Sequence, residues 1–256
     1  MTILTPRCAR LALVLLMLTP MLAMAGLEEI IVAAKPSVVA VGTFNATSNP
    51  RFGFRGTGFV VGKGDMVITN AHVLPEVLPA ETQTVLAIQT PKGATEAQLR
   101  NATLLGLDRA RDLALLRIEG AALPALPLAD DTRLREGMSV AIIGYPIGGA
   151  LGFTPVTHRG IISSITAIAL PAPTSQALNA QAIKQLRQGS FDIYQLDATV
   201  YPGNSGSPVF DVATGQVVAV INMVLVKGSK ESALTHPSGI SYAIPVRFVI
   251  DLLKDR

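Results

Sequence analysis

Short apolar blocks rich in β-branched residues, each closed by Gly, Pro, Asn or Asp, run through most of the chain. They lie at 37–43, 58–61, 66–69, 85–89 and 113–118, and again at 139–143, 156–165, 193–198, 207–210, 217–224 and 240–244. Blocks of this length and cadence predict short strands assembled into a barrel or a sandwich. Between the two series, residues 121–131 are rich in Pro and Ala and have no periodicity. They predict a first β unit over 26–130 and a second over 131–256. Three segments keep a helical period instead. Residues 27–34, ending at Lys35-Pro36, predict a short N-terminal helix, and 246–254 a closing C-terminal helix. Residues 175–188, following Pro171-Ala172-Pro173, predict a helix inserted in the second β unit. The whole 169–190 excursion reads either as a flap over a site or as surface.

The first residues change where the fold begins. Arg7 and Arg10 precede an apolar run from Leu11 to Leu18, and Ala23-Met24-Ala25 follows. This predicts a signal peptide over 1–25 and export to the periplasm or beyond. The run is short for a bilayer span and Pro20 interrupts it, so no lasting membrane anchor is expected. Cys8, the one cysteine, falls inside that leader, which leaves neither a disulfide nor a thiolate metal site after it. The formal charge of +3 includes the two leader arginines, leaving +1 for the remainder. No Lys/Arg stripe stands out, and no nucleic-acid partner is expected.

The candidate chemistry centres on Tyr201-Pro202-Gly203-Asn204-Ser205-Gly206-Ser207-Pro208, a glycine-rich turn running into an apolar strand. Such a turn suits a serine nucleophile, Ser205, with the N–H groups of Gly203 and Ser205 converging as an oxyanion hole. A serine hydroxyl needs a base, and the chain has three histidines, His72, His158 and His236. His72 ends the apolar strand Met66 to Thr69, where a loop can present it. His158 reads as a solvated strand residue and His236 as part of a polar loop. Neither has a neighbouring acid or histidine at ligand spacing, so no metal and no cofactor are expected. An imidazole base needs a buried carboxylate to hold its tautomer. Asp112, directly before Leu113-Ala114-Leu115-Leu116, is the candidate. Asp108 is its rival, followed by the polar Arg109-Ala110-Arg111 that would leave it exposed.

Thr69-Asn70-Ala71-His72-Val73, Asp112-Leu113-Ala114-Leu115-Leu116 and Gly203-Asn204-Ser205-Gly206-Ser207-Pro208 together resemble the three catalytic motifs of trypsin-like serine proteases, most closely the bacterial HtrA/Deg branch. The order His, Asp, Ser differs from that of α/β-hydrolases. Gly56-Thr57-Gly58-Phe59-Val60 and Ser241-Tyr242-Ala243-Ile244-Pro245 extend the resemblance. It implies an all-β, chymotrypsin-type fold of two six-stranded antiparallel barrels, with the triad in the cleft between them. The implied activity is endopeptidase action on unfolded or flexible polypeptide, bound as an extended strand along 220–224. By position in the family, Thr199, Val200, Asn222, Met223, Val224 and Leu225 would line the substrate strand and specificity pocket. None is charged, which implies a small or medium apolar residue before the scissile bond.

Departures from the family pattern matter as well. Ser207 stands where HtrA proteins usually have Gly. With the sequence ending at Arg256, no PDZ domain is expected. Asn204, in place of the Asp of many secreted relatives, implies no zymogen ion pair. Monomer and trimer are both compatible with the sequence. The alternative function is a protease-fold binding or chaperone-like protein whose site is occluded or inactive at rest.

Overall fold

The computed structural model describes residues 26–76, 83–91, 97–130, 134–148, 153–168, 191–224 and 240–254. The expected leader over 1–25, the inserted helix within 169–190, Leu225 and His236 lie outside the described residues.

Among the described residues twelve strands follow one another along the chain. They are β1 (Val38–Phe44), β2 (Phe52–Val61), β3 (Met66–Thr69), β4 (Val85–Gln89), β5 (Leu99–Asp108) and β6 (Leu113–Ile118), then β7 (Ser139–Gly144), β8 (Val156–Ile168), β9 (Phe191–Asp197), β10 (Pro208–Asp211), β11 (Val217–Val224) and β12 (Ile240–Pro245). Helices α1 (Leu27–Ala34) and α2 (Arg247–Lys254) flank them. The first six strands close into an antiparallel barrel in the order β1-β2-β3-β6-β5-β4, and the last six into another, β10-β11-β12-β9-β8-β7. This is the chymotrypsin-type architecture expected.

The continuous apolar runs have a packing reason. Val39, Val41, Val60, Val67, Leu116 and Ile118 fill the interior of the first barrel. Their strand neighbours Val38, Ala40, Phe59, Val61, Ile68 and Leu115 belong to a different cluster, continuous with Val140, Ile142, Val209, Val220 and Ile244 of the second barrel. Successive side chains on a strand face opposite ways, so a strand buried on both faces loses its polar alternation. β5 behaves differently. Only Ala102 and Gly106 on it are buried, and its polar face reaches solvent. That mixed pattern is why the sequence predicts no strand there.

Residues 121–130 form a strap joined to both barrels. Leu126 N–H donates to Val60 O at 2.9 Å, while Ala129 N–H donates to Val217 O and Val217 N–H to Pro127 O, each at 2.8 Å. Tyr145 also crosses the interface, its hydroxyl donating to Val38 O at 3.0 Å.

Candidate active site

β3 delivers His72 in a short 3-10 turn, Ala71–Val73, and Asp112 sits where β5 turns into β6. Four contacts lace the two loops together. Ala71 N–H and Asn70 Nδ2 donate to Asp112 O at 3.1 and 3.0 Å, and His72 N–H donates to Asp112 Oδ1 at 2.8 Å. His72 Nδ1 lies 2.5 Å from Asp112 Oδ2. A carboxylate only accepts, so Nδ1 carries a proton, and in the neutral imidazole this makes Nε2 the acceptor. Arg55 braces the turn from β2, its Nε donating to Val73 O at 2.5 Å.

The rival carboxylate is engaged elsewhere. Asp108 accepts from the Arg111 backbone N–H and from Arg111 Nη1, at 3.0 and 2.8 Å. Its side chain is 19% exposed rather than solvated as expected, because that arginine folds back over it.

Asn222 joins the pieces. It is 4% exposed and is the extra residue of a β-bulge, where the β11–β12 register steps from Ile221↔Ala243 to Met223↔Tyr242. A bulge re-aims a side chain. Here Asn222 Nδ2 donates to Asp112 Oδ2 at 2.6 Å, while Asn222 O accepts from Ser205 Oγ at 3.3 Å. The structure therefore brings Ser205, Asp112 and His72 into one constellation, with the serine hydroxyl turned onto a backbone carbonyl. The sequence placed Asn222 among the substrate-lining residues. Its side chain is instead occupied by Asp112.

The other expected lining residues fall as follows. Thr199 is exposed, Val200 is packed in the shared core, and Met223 and Val224 occupy the end of β11. β10 pairs with β11 only as far as Pro208↔Val220. Beyond that point Met223 and Val224 pair with β12 on one edge.

In the Ser205 turn, Gly203 has φ +101° and Gly206 φ +86°, backbone that favours glycine. The N–H groups of Asn204, Gly206 and Ser207 are bonded to Tyr201 O, Ile221 O and Asn204 O. Among the described residues those of Gly203 and Ser205 have no partner. Pro202 O accepts from Ile147 N–H at 2.8 Å. Since C=O and N–H point opposite ways in a trans peptide, this aims Gly203 N–H away from the 145–148 loop. Ile147 holds the position with φ +60°, a strained conformation for a β-branched residue.

Thr57 is the contact the sequence did not single out. Fully buried on β2, it donates N–H to Ser205 O at 2.9 Å and Oγ1–H to Gly203 O at 2.7 Å, and Oγ1 accepts from Tyr145 N–H at 3.0 Å. The flanking glycines were the available signal, because glycine inside a strand marks close backbone approach. A Cβ on Gly56 would meet Val73 and Ser205 O.

His158 is half-buried rather than solvated. Its ring centroid lies 5.8 Å from that of Tyr201, and its Nε2 is buried without a hydrogen bond. Burial lowers its pKa from the usual histidine value. Among the described residues no cluster of three or more His, Cys, Asp or Glu is placed to hold a metal.

A family model described as a trypsin-like peptidase domain matches residues 56–220. A probable periplasmic serine endoprotease DegP-like from Pseudomonas fluorescens is 29% identical over 197 residues, covering 77% of this chain and 34% of that protein. The Chlamydia pneumoniae protein of the same description is 31% identical over 206 residues, 78% of this chain and 35% of its own. Mitochondrial serine protease HTRA2 of Drosophila pseudoobscura pseudoobscura is 29% identical over 194 residues, with 76% and 37% covered. The chain thus spans about a third of the length of the curated relatives it matches. Among solved structures, Deg5 aligns with a TM-score of 0.61 at 24% identity, covering 88% of this chain and 90% of that one. A serine endoprotease from Yersinia pestis gives 0.61 at 22%, covering 90% and 66%. At these identities the structural likeness speaks for the fold.

Proposed function

The chain belongs to the trypsin-like peptidase domain family, and from that premise we propose that it is an exported serine endopeptidase cutting unfolded or flexible polypeptides. The observation that carries this reading is Asn222, which touches Ser205 with one end and Asp112 with the other, while Asp112 holds His72. Ser205 Oγ leaves the Asn222 carbonyl, gives its proton to His72 Nε2 and attacks the peptide carbonyl carbon. Asp112 keeps the imidazole in the tautomer that accepts and stabilises the imidazolium. The negative oxygen of the tetrahedral adduct is received by the N–H groups of Gly203 and Ser205. His72 then protonates the leaving amine, and water releases the acyl group from Ser205 by the same route.

Substrate lies as an added strand along the edge of β11 near Met223 and Val224 that no strand among the described residues pairs with, with a small or medium apolar residue before the cut. None of the residues proposed for that pocket, Thr199, Val200, Val224 and Leu225, carries a charge to pair with a charged side chain.

A second reading is favoured by one contact. The Ser205 hydroxyl is on a carbonyl rather than on His72, as expected of a protease-fold binding protein whose site is at rest. Labelling with a fluorophosphonate separates the two. A peptidase labels, in the presence of unfolded protein, and Ser205→Ala does not. If the wild type stays unlabelled and leaves the unfolded protein intact, the endopeptidase reading is wrong.

A further inference from the structure

We propose that the hydroxyl of Thr57, carried by the first barrel, is a positioning residue for the oxyanion hole of the second. The inference rests on the endopeptidase reading above and assigns a new part to it. Gly203 supplies one of the two oxyanion donors, and its N–H lies in the peptide plane before it, which the backbone torsions of Gly203 couple to the plane after it. The plane before it is held through Pro202 O by Ile147 N–H at 2.8 Å. The plane after it is held through Gly203 O by Thr57 Oγ1–H at 2.7 Å. With both planes fixed, Gly203 keeps φ +101°. The same hydroxyl accepts Tyr145 N–H at 3.0 Å, two residues before Ile147, so one oxygen ties together the loops that hold both planes.

Thr57 is fully buried, so water cannot readily take the place of a missing hydroxyl. Removing it leaves Gly203 O and Tyr145 N–H unpaired together. The plane after Gly203 then keeps only the Asn204 N–H bond to Tyr201 O, and the loop whose Ile147 N–H holds the plane before it loses its tie at Tyr145, so the glycine gains freedom to turn its N–H away from the oxyanion. Ground-state binding of peptide along β11 involves none of these bonds. The loss therefore belongs in the transition state.

The test compares wild type, Thr57→Val and Thr57→Ser in the full chain, after wild-type labelling at Ser205 has been established. Valine keeps the shape without the hydroxyl, and serine keeps the hydroxyl. Expected for Thr57→Val are a kcat lower by about ten- to a hundred-fold with KM little changed, and a similar loss of affinity for a peptide aldehyde, whose adduct carries the oxyanion. Thr57→Ser should restore most of both. If Thr57→Val does not fold, Thr57→Cys takes its place. The sulfur is a weak donor, so kcat should fall at least about fivefold below that of the serine variant. Wild-type kcat and aldehyde affinity in the valine variant, or equal activity of serine and cysteine variants, overturns the proposal while the endopeptidase reading stands. An unlabelled, inactive wild type overturns both.

Discussion

At Asp112 the backbone is as much a part of the site as the carboxylate. Its φ of +54° lies in the left-handed region, which Asp tolerates better than most residues. That turn lets its carbonyl tie down Asn70 and Ala71 while both carboxylate oxygens meet His72. Asp112→Asn should fold normally, yet lower kcat by about three to four orders of magnitude, because an amide favours the wrong imidazole tautomer. Near-normal turnover in that variant would remove Asp112 from its role. Asn222 calls for a different expectation. Asn222→Ala takes one donor from Asp112 Oδ2 and should lower kcat by about tenfold. Asn222→Asp sets a second carboxylate beside the first, so the pair tends to share a proton and turnover should fall further. Measured kcat in the order wild type, alanine, aspartate checks this, and a loss confined to KM would return Asn222 to substrate binding. The residues proposed as the triad were legible because each stands at the end of an apolar run with a chemically suited side chain. Asn222 was not, since its orientation depends on a bulge, and a bulge is a matter of register with a distant strand.

Elements buried on both sides were the readable ones. β1, β3, β6, β7 and β11 are nearly unbroken apolar runs, and each was expected close to where it lies. β5, with most of its residues reaching solvent, was missed. β8 shows the opposite difficulty. Thr157-His158-Arg159 looks solvated in sequence, but pairing with Ile142 on β7 and contact with Tyr201 cover the histidine ring. The sign of the consequence is fixed. Burial lowers the folded-state pKa of His158, while the unfolded chain titrates near the ordinary value of about 6.5. As pH falls below that value the unfolded chain gains a proton that the folded chain does not, so stability drops until the lowered folded pKa is passed. Urea midpoints measured between about pH 7.5 and 5 should therefore fall less steeply for His158→Gln than for wild type. Parallel slopes would mean that the ring is not protected in solution.

At the scale of the molecule the two closed barrels share one hydrophobic core. Phe59 shows how. It is fully buried on β2, belongs to the first barrel by pairing with Val38 and Ile68, and packs in the cluster shared with the second barrel. The strap around Leu126 and Ala129 adds backbone bonds to both barrels, and Tyr145 reaches from one to Val38 of the other. The sequence marked 121–131 as a divider because it lacks periodicity. A strap bonded by its backbone needs none, and that is why it could not be told from a free linker. Phe59→Ala should cost about 3–5 kcal/mol, with the cavity opening at the barrel interface rather than inside one barrel. If the barrels are coupled as their common core requires, near-UV circular dichroism of the buried tyrosines and Ser205 labelling should be lost together along a urea series, at a midpoint lowered in the variant. Labelling lost at a lower midpoint while the dichroism of Tyr145 and Tyr194, both in the second barrel, kept the wild-type midpoint would separate the barrels. It would also separate the site from its frame, because Thr57 and His72 stand on one barrel and Gly203 and Ser205 on the other, so the geometry that joins them exists only while the shared core is closed.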